Sequence, residues 1–249
     1  MNVLNSIIEN ISKLEMENKN AKDEISRIDA EKMELVKKFR NGSRFTKAGS
    51  EEGETDINLL INKTEELSQL IYRNDIKIAL FKENAIIEVV KIAEPAIRET
   101  LAKYNGKRAG EKTREKIRKE VNEKTGFSVY FDCGYAMTNN ASYIDIYPRN
   151  TYLPNNITIM FQDPETEKPM QILEDNVILS PSFNSQVEPV FVTARPHTDI
   201  NADVDELLNK WSALKAAAEV YNSALAAFRE IAPDGRKTPE TAYVRERFL

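Results

Sequence analysis

Two long apolar stripes dominate the N-terminal part of the chain. In the first stripe, apolar residues recur at alternating steps of three and four, and the same spacing returns in a second stripe after a break. Asn18 and Lys32 are the polar members of the first stripe, whereas Thr64 and Asn74 are those of the second. This heptad spacing is typical of long helices that pack along a common seam. The apolar members are Leu4, Ile7, Ile11, Leu14, Ala21, Ile25, Ile28, Leu35 and Phe39, then Ile57, Leu60, Leu67, Ile71, Ile78, Phe81, Ala85, Val89 and Ile92.

The sequence between the stripes, NGSRFTKAGSEEGET, has no helical period and holds three of the eight glycines. We therefore predict two helices of nearly equal length, Asn2–Arg40 and Asp56–Glu94, that fold back as an antiparallel hairpin and form a coiled-coil stem. Pro95 is expected to kink or stop the second helix, because proline lacks an amide donor and disfavours helix at the preceding residue. A parallel homodimer, in which each helix pairs with its own copy, is the competing arrangement, and a dimer of two hairpins is a third.

Polar residues inside the seam are expected to fix the register of this hairpin. Aligning the two stripes from the turn places Asn74 beside Ala21 and Ile78 beside Asn18. Such buried polar positions specify register at some cost in stability.

The pattern then changes from helical to strand periodicity. A resumed helix over Ala96–Tyr104 and a short helix over Glu111–Lys124 come first, the second with Gly126 as its left-handed cap. Because a missing amide costs least at a sheet edge, Pro189 is expected in an edge strand. Alternating apolar and polar residues predict five strands, the first three as an antiparallel meander: Phe127–Cys133, Ser142–Tyr147, Asn156–Gln162, Val177–Leu179 and Pro189–Thr193.

A third heptad stripe predicts a long C-terminal helix. Thr198, Asp199 and Asn201 are candidate caps at its start, and Pro233 is expected to end it. The stripe is expected to pack on the sheet or the hairpin, and consists of Val204, Leu207, Trp211, Leu214, Ala218, Tyr221, Leu225 and Phe228. The tail offers one more short helix, with Tyr243, Val244 and Phe248 as an apolar edge.

Together these elements predict an α+β fold. It combines a long antiparallel helical hairpin with a small, mainly antiparallel β-sheet packed with a long C-terminal helix. We expect three domains: a hairpin stem over residues 1–95, an α+β domain with the C-terminal helix over residues 96–232, and a tail over residues 233–249 with a short docking helix.

Composition narrows the classes of function. The 249 residues include 40 acids and 35 bases, and the net charge of -5 gives no global attraction to nucleic acid or anionic lipid. Cys133 is the single cysteine, which excludes an internal disulfide and a cysteine metal cluster and suits a reducing compartment. The sequence shows neither a signal-peptide core nor an apolar run of about 20 residues. We therefore expect a cytoplasmic protein that is not inserted in a membrane.

Candidate catalytic residues are few. We interpret His197, the only histidine, as a solvated loop residue, and Cys133 as a buried inert thiol. Three aspartates on or after successive strands, Asp132, Asp145 and Asp163, offer ligands for a divalent metal, but strand alternation places Asp132 and Asp145 on the wet face of the sheet with tyrosines. No glycine-rich phosphate loop is present. We expect no cofactor and no enzymatic activity.

A basic segment is the strongest candidate for a functional patch. Residues 103–124 hold nine Lys and Arg against four Glu, although the whole chain is acidic. This segment either meets a phosphate backbone or an acidic partner, or forms a solvated helix with internal ion pairs. The candidate residues are Lys103, Lys107, Arg108, Lys112, Arg114, Lys116, Arg118 and Lys119.

Tyrosines form the second candidate surface. Tyr130, Tyr143 and Tyr147, joined by Tyr152, are spaced to form a stacking surface for single-stranded nucleic acid on an open sheet. Cross-strand tyrosine pairs explain the same residues without a ligand. The nucleic-acid hypothesis gains weight if the basic helix borders this face.

Two functional hypotheses follow. The first is a non-enzymatic interaction or scaffold protein that binds protein partners and forms homo-oligomers through the helical stem. The alternative is a nucleic-acid-binding protein, or an inhibitor of a nucleic-acid-handling machine, that uses the segment 103–124.

Overall fold

A computed structural model describes residues 2–41, 47–130, 141–163, 165–180, 188–190 and 194–231. It confirms the α+β class: long helices accompany a small antiparallel sheet. The helices are α1 (Asn2–Asn41), α2 (Lys47–Tyr104), α3 (Glu111–Thr125) and α4 (Ile200–Ile231). The strands are β1 (Ser128–Tyr130), β2 (Tyr143–Tyr147), β3 (Ile157–Gln162), β4 (Leu173–Glu174), β5 (Val177–Ile178) and β6 (Glu188–Val190).

The chain forms two compact units, each assembled from separate segments. Unit 1 comprises Met1–Met16 and Ile78–His197, and unit 2 comprises Glu17–Lys77 and Thr198–Leu249. Both α1 and α2 therefore contribute to both units. This division differs from the boundaries at residues 95 and 232 expected from sequence.

The sheet of unit 1 has a buried face and an outer face. Its order is β1-β2-β3-β6 with antiparallel neighbours, so the predicted three-stranded meander is confirmed. Pro189 pairs opposite Phe161 in the terminal strand β6, as expected for a residue without an amide donor. The buried face joins one hydrophobic core with residues of α1, α2 and α3. That face carries Val129, Ile144, Ile146, Ile157, Ile159 and Phe161.

A second small ladder extends the core of unit 1. β4 and β5 pair through a two-residue turn in which Asp175 and Asn176 have φ of 48° and 62°. Positive φ at both central residues is the geometry of a tight hairpin turn, which aspartate and asparagine tolerate. On its other side, Ile178 donates its N–H to the Lys107 carbonyl at 3.0 Å and accepts the Gly106 N–H at 2.9 Å. The segment between α2 and α3 is thus fixed by backbone hydrogen bonds.

The short helix α3 follows its prediction closely. Ile117 and Val121 are buried, and Gly126 caps the helix with φ of 76° by donating its N–H to the Asn122 carbonyl. A left-handed residue at this position satisfies an end carbonyl that the helix itself leaves open.

The heptad stripes of α1 and α2 are confirmed within the described part of the chain. Every predicted seam position from Leu4 to Leu35 is buried or half-buried, including the polar Asn18 and Lys32, and the same holds from Ile57 to Ile92. In unit 2 the two helices run antiparallel within one chain, because Glu24 contacts Lys63 at 2.7 Å and the earlier residue Asn18 contacts a later residue of α2.

Polar residues of the seam contact polar side chains of the facing helix. Asn18 donates to Asp75 at 2.7 Å, and Asn74 donates to Glu17 at 3.4 Å. The two buried amide groups thus donate to carboxylates, because an unpaired buried donor is costly, whereas Asn18 Oδ1 makes no hydrogen bond with the described residues.

The limits of α2 were predicted too narrowly. The helix begins at Lys47, inside the segment assigned to the loop, and it continues through Pro95 to Tyr104. Proline removes only one backbone hydrogen bond. Buried Ala96, Ile97 and Leu101 continue the apolar face beyond it, and their packing favours an unbroken helix.

In α4 the predicted stripe is only half correct. Four predicted positions face inwards: Val204 and Leu225 are buried, and Trp211 and Ala218 are half-buried. Between them lie half-buried side chains that the predicted stripe did not include, namely Leu208, Lys215 and Asn222. The other predicted members form what we call the α4 outer line. Its residues are Leu207, which is half-buried, and Leu214, Tyr221 and Phe228, which are 52%, 42% and 45% exposed.

Some predictions fall outside the described residues. These are the Phe131–Cys133 end of the first strand with Asp132, the Phe191–Thr193 end of the last strand, the side chain of Phe39 and the tail helix after residue 231.

Candidate functional site

A cleft of unit 1 lies beside β1 and the β2–β3 connection. It encloses about 530 Å³, which is within the size range of ligand sites. Its described lining combines two tyrosine rings, one arginine, and hydroxyl and amide side chains. These residues are Ser128, Tyr130, Tyr147, Arg149, Asn150, Thr151 and Asn155.

The two tyrosine rings lie on the outer face of the sheet. Because Tyr130 pairs opposite Asp145 and Ser128 pairs opposite Tyr147, Tyr130 and Tyr147 are diagonal neighbours on that face. Their ring centroids are 5.2 Å apart at an interplanar angle of 85°, an edge-to-face pair. Tyr143 shares the face further along β2, opposite Met160. The structure therefore brings two of the three predicted tyrosines into one cleft.

The basic helix α3 borders this cleft. The guanidinium carbon of Arg118 lies 5.0 Å from the centroid of the Tyr130 ring, within cation–π distance. From sequence, the nucleic-acid hypothesis gains weight if the basic helix borders the tyrosine face. This contact between Arg118 and Tyr130 meets that condition.

The predicted fourth tyrosine belongs to the core instead. The hydroxyl of Tyr152 is 3.2 Å from Ser12 Oγ on α1, and its ring packs against the core of unit 1. Tyr152 leaves the tyrosine surface because the loop folds back at this point, where Asn150 Oδ1 accepts the Tyr152 N–H at 2.8 Å.

Most of the remaining basic residues have partners within the chain. Lys103 contacts Glu120 at 3.3 Å, and Arg114 donates to the Ala109 carbonyl at 2.9 Å. The amine of Lys107 lies 4.9 Å from the Tyr104 ring centroid. Lys119 contacts Glu123, and the backbone of Arg108 bridges to β5. Exposed Lys112 and Lys116 form no ion pair with the acids that the structure describes.

An ion-pair network joins α2 to α3 at the edge of this segment. The Tyr104 hydroxyl donates to Glu120 Oε1 at 2.6 Å, and this bond lowers the pKa of Glu120 and raises the pKa of Tyr104. Glu120 also accepts from Lys103 and raises the pKa of Lys103. Lys124 contacts Glu99 at 2.6 Å and lowers the pKa of that carboxyl. Two basic residues of the segment, Lys103 and Lys124, therefore hold α3 on α2.

The aspartates do not converge in the described structure. Asp145 is buried on the outer face, where it accepts a hydrogen bond from its cross-strand neighbour Thr158 at 2.5 Å, so its expected place in solvent is wrong. Asp163 caps a turn by accepting the N–H groups of Glu165 and Thr166. Among the described residues no three His, Cys, Asp or Glu side chains are grouped as a metal site.

His197 is a structural anchor, in contrast to the solvated residue expected from sequence. Its N–H donates to Asn84 Oδ1 and its carbonyl accepts from Asn84 Nδ2, both at 2.8 Å. Its Nε2 lies 3.2 Å from Glu83 Oε2, which also accepts the Arg195 N–H at 2.9 Å. The segment that precedes α4 is thus fixed to α2 by four contacts.

Unit 2 carries a second candidate surface on α4. A shallow hollow of about 290 Å³ is lined by Leu207, Lys210, Trp211 and Leu214. Half of these residues belong to the α4 outer line, so the hollow is continuous with exposed apolar residues along the helix.

Sequence reasoning missed Arg149 and its neighbours. Arg149 has φ of 54°, a conformation that non-glycine residues seldom adopt. No sequence pattern marks this conformation, because arginine is not a typical left-handed residue. The Asn150 to Asn155 stretch did show turn chemistry, which was the available signal.

Comparison with known proteins assigns no family, since the chain matches no family model, no curated protein and no solved structure. Across the described ranges, no helix has the length and the apolar content that crossing a bilayer requires.

Proposed function

We propose that this protein is a non-enzymatic protein–protein interaction or scaffold protein that self-associates through the α4 outer line, and that it acts in the cytoplasm. The observation that carries the proposal is the repeat of Leu207, Leu214, Tyr221 and Phe228 at intervals of seven residues, in which the last three side chains are exposed. Single exposed apolar residues are ordinary, whereas a seven-residue repeat is the spacing that pairs helices.

A second copy of the same chain fits this line. At about 1.5 Å per residue, the line extends over roughly 30 Å, enough for several turns of helix-to-helix contact. A two-fold arrangement lets the same surface contact itself. Lys210, which is near the line, forms an ion pair with Glu206 of its own chain.

The test measures mass in solution. We expect sedimentation equilibrium of the full chain to give a multiple of 28.4 kDa that falls towards 28.4 kDa on dilution. Leu214→Glu places a charge in the line and should yield the single-chain mass with unchanged circular dichroism. Phe228→Glu is a second variant of the same kind.

Val220→Glu is the matched control. Val220 is 71% exposed on the same helix but lies outside the line, so this variant should keep the native mass. A wild-type mass of 28.4 kDa at every soluble concentration would contradict self-association, as would equal effects of the Leu214 and Val220 substitutions.

The alternative function is nucleic-acid binding, or inhibition of a nucleic-acid-handling machine, by the segment 103–124. The contact between Arg118 and the Tyr130 ring favours it. Since Lys103, Arg114 and Lys119 have partners within the chain, the exposed Lys112 and Lys116 are its remaining test positions.

A further inference from the structure

Among the described residues that line the cleft of unit 1, the charge is positive. They include Arg149 and no carboxylate, and Arg118 lies on the Tyr130 ring at the border of the cleft. Neither guanidinium forms an ion pair with any acid in the ranges that the structure describes. By contrast, Lys103 and Lys124 of the same basic segment contact carboxylates. A cleft with this imbalance attracts an anionic group.

The loop that carries Arg149 is fixed before any ligand binds. Arg149 has φ of 54°, and strained positions of this kind concentrate at functional sites. The next residue holds the turn, because Asn150 accepts the Tyr152 N–H with its side chain and the Leu153 N–H with its carbonyl. Tyr152 in turn contacts Ser12 of α1. Such preorganisation reduces the entropy lost on binding.

The aromatic and polar lining selects among anions. Tyr130 and Tyr147 offer aromatic surface next to the arginines, and Asn155 and Ser128 add hydrogen-bonding groups. Inorganic phosphate can contact the arginines but has no group that stacks on the tyrosine rings. A nucleotide unit of a single strand uses both, because its unstacked base can contact aromatic side chains while its phosphate contacts arginine.

We propose that this cleft binds single-stranded nucleic acid, with a phosphate at Arg149 and Arg118 and a base against Tyr130 and Tyr147. The proposal does not rest on self-association through α4. It differs from binding by the whole basic segment, because it requires Arg149, which lies outside that segment, and does not require Lys112.

The experiment is fluorescence anisotropy of an end-labelled oligothymidylate with the full chain over a salt series. We expect binding at low salt that weakens as salt rises, with a slope of about -0.7 for each contacted phosphate. Arg149→Ala should weaken binding by about tenfold and make the slope shallower by about 0.7. Arg149→Gly should act alike, and since glycine accepts positive φ it keeps the loop folded.

Two further sets of variants locate the site. Tyr130→Leu should weaken binding by about tenfold, whereas Tyr130→Phe should retain it because stacking needs the ring and not the hydroxyl. The charge control is Lys112→Ala with Lys116→Ala, which at about 0.15 M salt should change affinity by less than Arg149→Ala does, because screening limits charge effects to about 8 Å. These lysines are exposed and do not line the cleft.

Several results would overturn the proposal. They are absence of binding at low salt, equal binding of a duplex of the same length, and competition by free mononucleotide or inorganic phosphate as strong as by the oligonucleotide. A larger loss from the lysine pair than from Arg149→Ala would overturn it in favour of the basic segment. Sedimentation of each variant separates a loss of binding from a loss of self-association.

Discussion

Thr100 provides a direct test of how the core of unit 1 tolerates a polar atom. It lies in α2 with an exposed fraction of 0%. Its Oγ1 is buried and makes no hydrogen bond with the residues that the structure describes. Burying an unpaired hydroxyl costs about 1 to 3 kcal/mol. Thr100→Val replaces that hydroxyl with a methyl group of similar shape, so we expect it to stabilise the protein by about 1 to 2 kcal/mol.

Thr125→Val is the matched control at the end of α3. The Thr125 Oγ1 donates to the Val121 carbonyl at 2.7 Å and accepts the Phe127 N–H at 3.1 Å. The same change of side chain therefore removes two hydrogen bonds, and we expect a loss of about 1 to 2 kcal/mol. Threonine and valine have similar helix propensities, so opposite signs for the two variants report hydrogen bonding.

The assay is thermal and urea unfolding followed by circular dichroism. For a chain of this size, 1 kcal/mol shifts Tm by about 2 to 4 °C. The single tryptophan, Trp211, lies in α4 of unit 2, so its fluorescence follows the other unit and serves as an internal comparison. A Thr100→Val protein that is less stable than wild type would refute the reasoning, because it would show that the hydroxyl is paired in solution.

Two further predictions concern side-chain contacts of unit 1. The Tyr104 hydroxyl holds the pKa of Glu120 below its unfolded value, so their hydrogen bond stabilises the fold above the unfolded pKa, and this stability is lost as pH falls through the folded pKa. Tyr104→Phe should therefore lessen the drop in Tm between about pH 6 and pH 3. An unchanged drop in Tm would argue against the hydrogen bond. Asn84→Ala removes both hydrogen bonds between the Asn84 amide and the His197 backbone. It should lower the free energy of unfolding by about 1 to 3 kcal/mol and speed hydrogen exchange of the His197 amide. Unchanged exchange at His197 would show that these two hydrogen bonds do not form.

The helices and the sheet could be predicted because their signals are local. A sustained heptad repeat and strict alternation each indicate one structure over many residues. The α4 helix was harder, since Leu207 and Leu208 are both apolar neighbours and either can begin the seam. The half-buried Lys215 and Asn222 show that tertiary contacts, and not the apolar pattern alone, decided which line faces inwards.

The candidate site was predictable only in part. Tyr130 and Tyr147 follow from strand alternation, and Arg118 follows from the density of basic residues. The contact between Arg118 and the Tyr130 ring depends on the angle between α3 and β1 at Gly126, and no residue pattern specifies this angle. Arg149 was missed because its left-handed backbone is imposed by the loop around it.

The interleaving of the two units affects how the protein can be made and dissected. Residues 1–16 belong with residues 78–197, and residues 17–77 belong with the segment from 198 onwards. During synthesis, α1 and α2 leave the ribosome well before α4, so unit 2 is complete only when the last helix has emerged. Neither unit can be excised by a single cut, and a chain that stops before α4 would lack the second segment of unit 2.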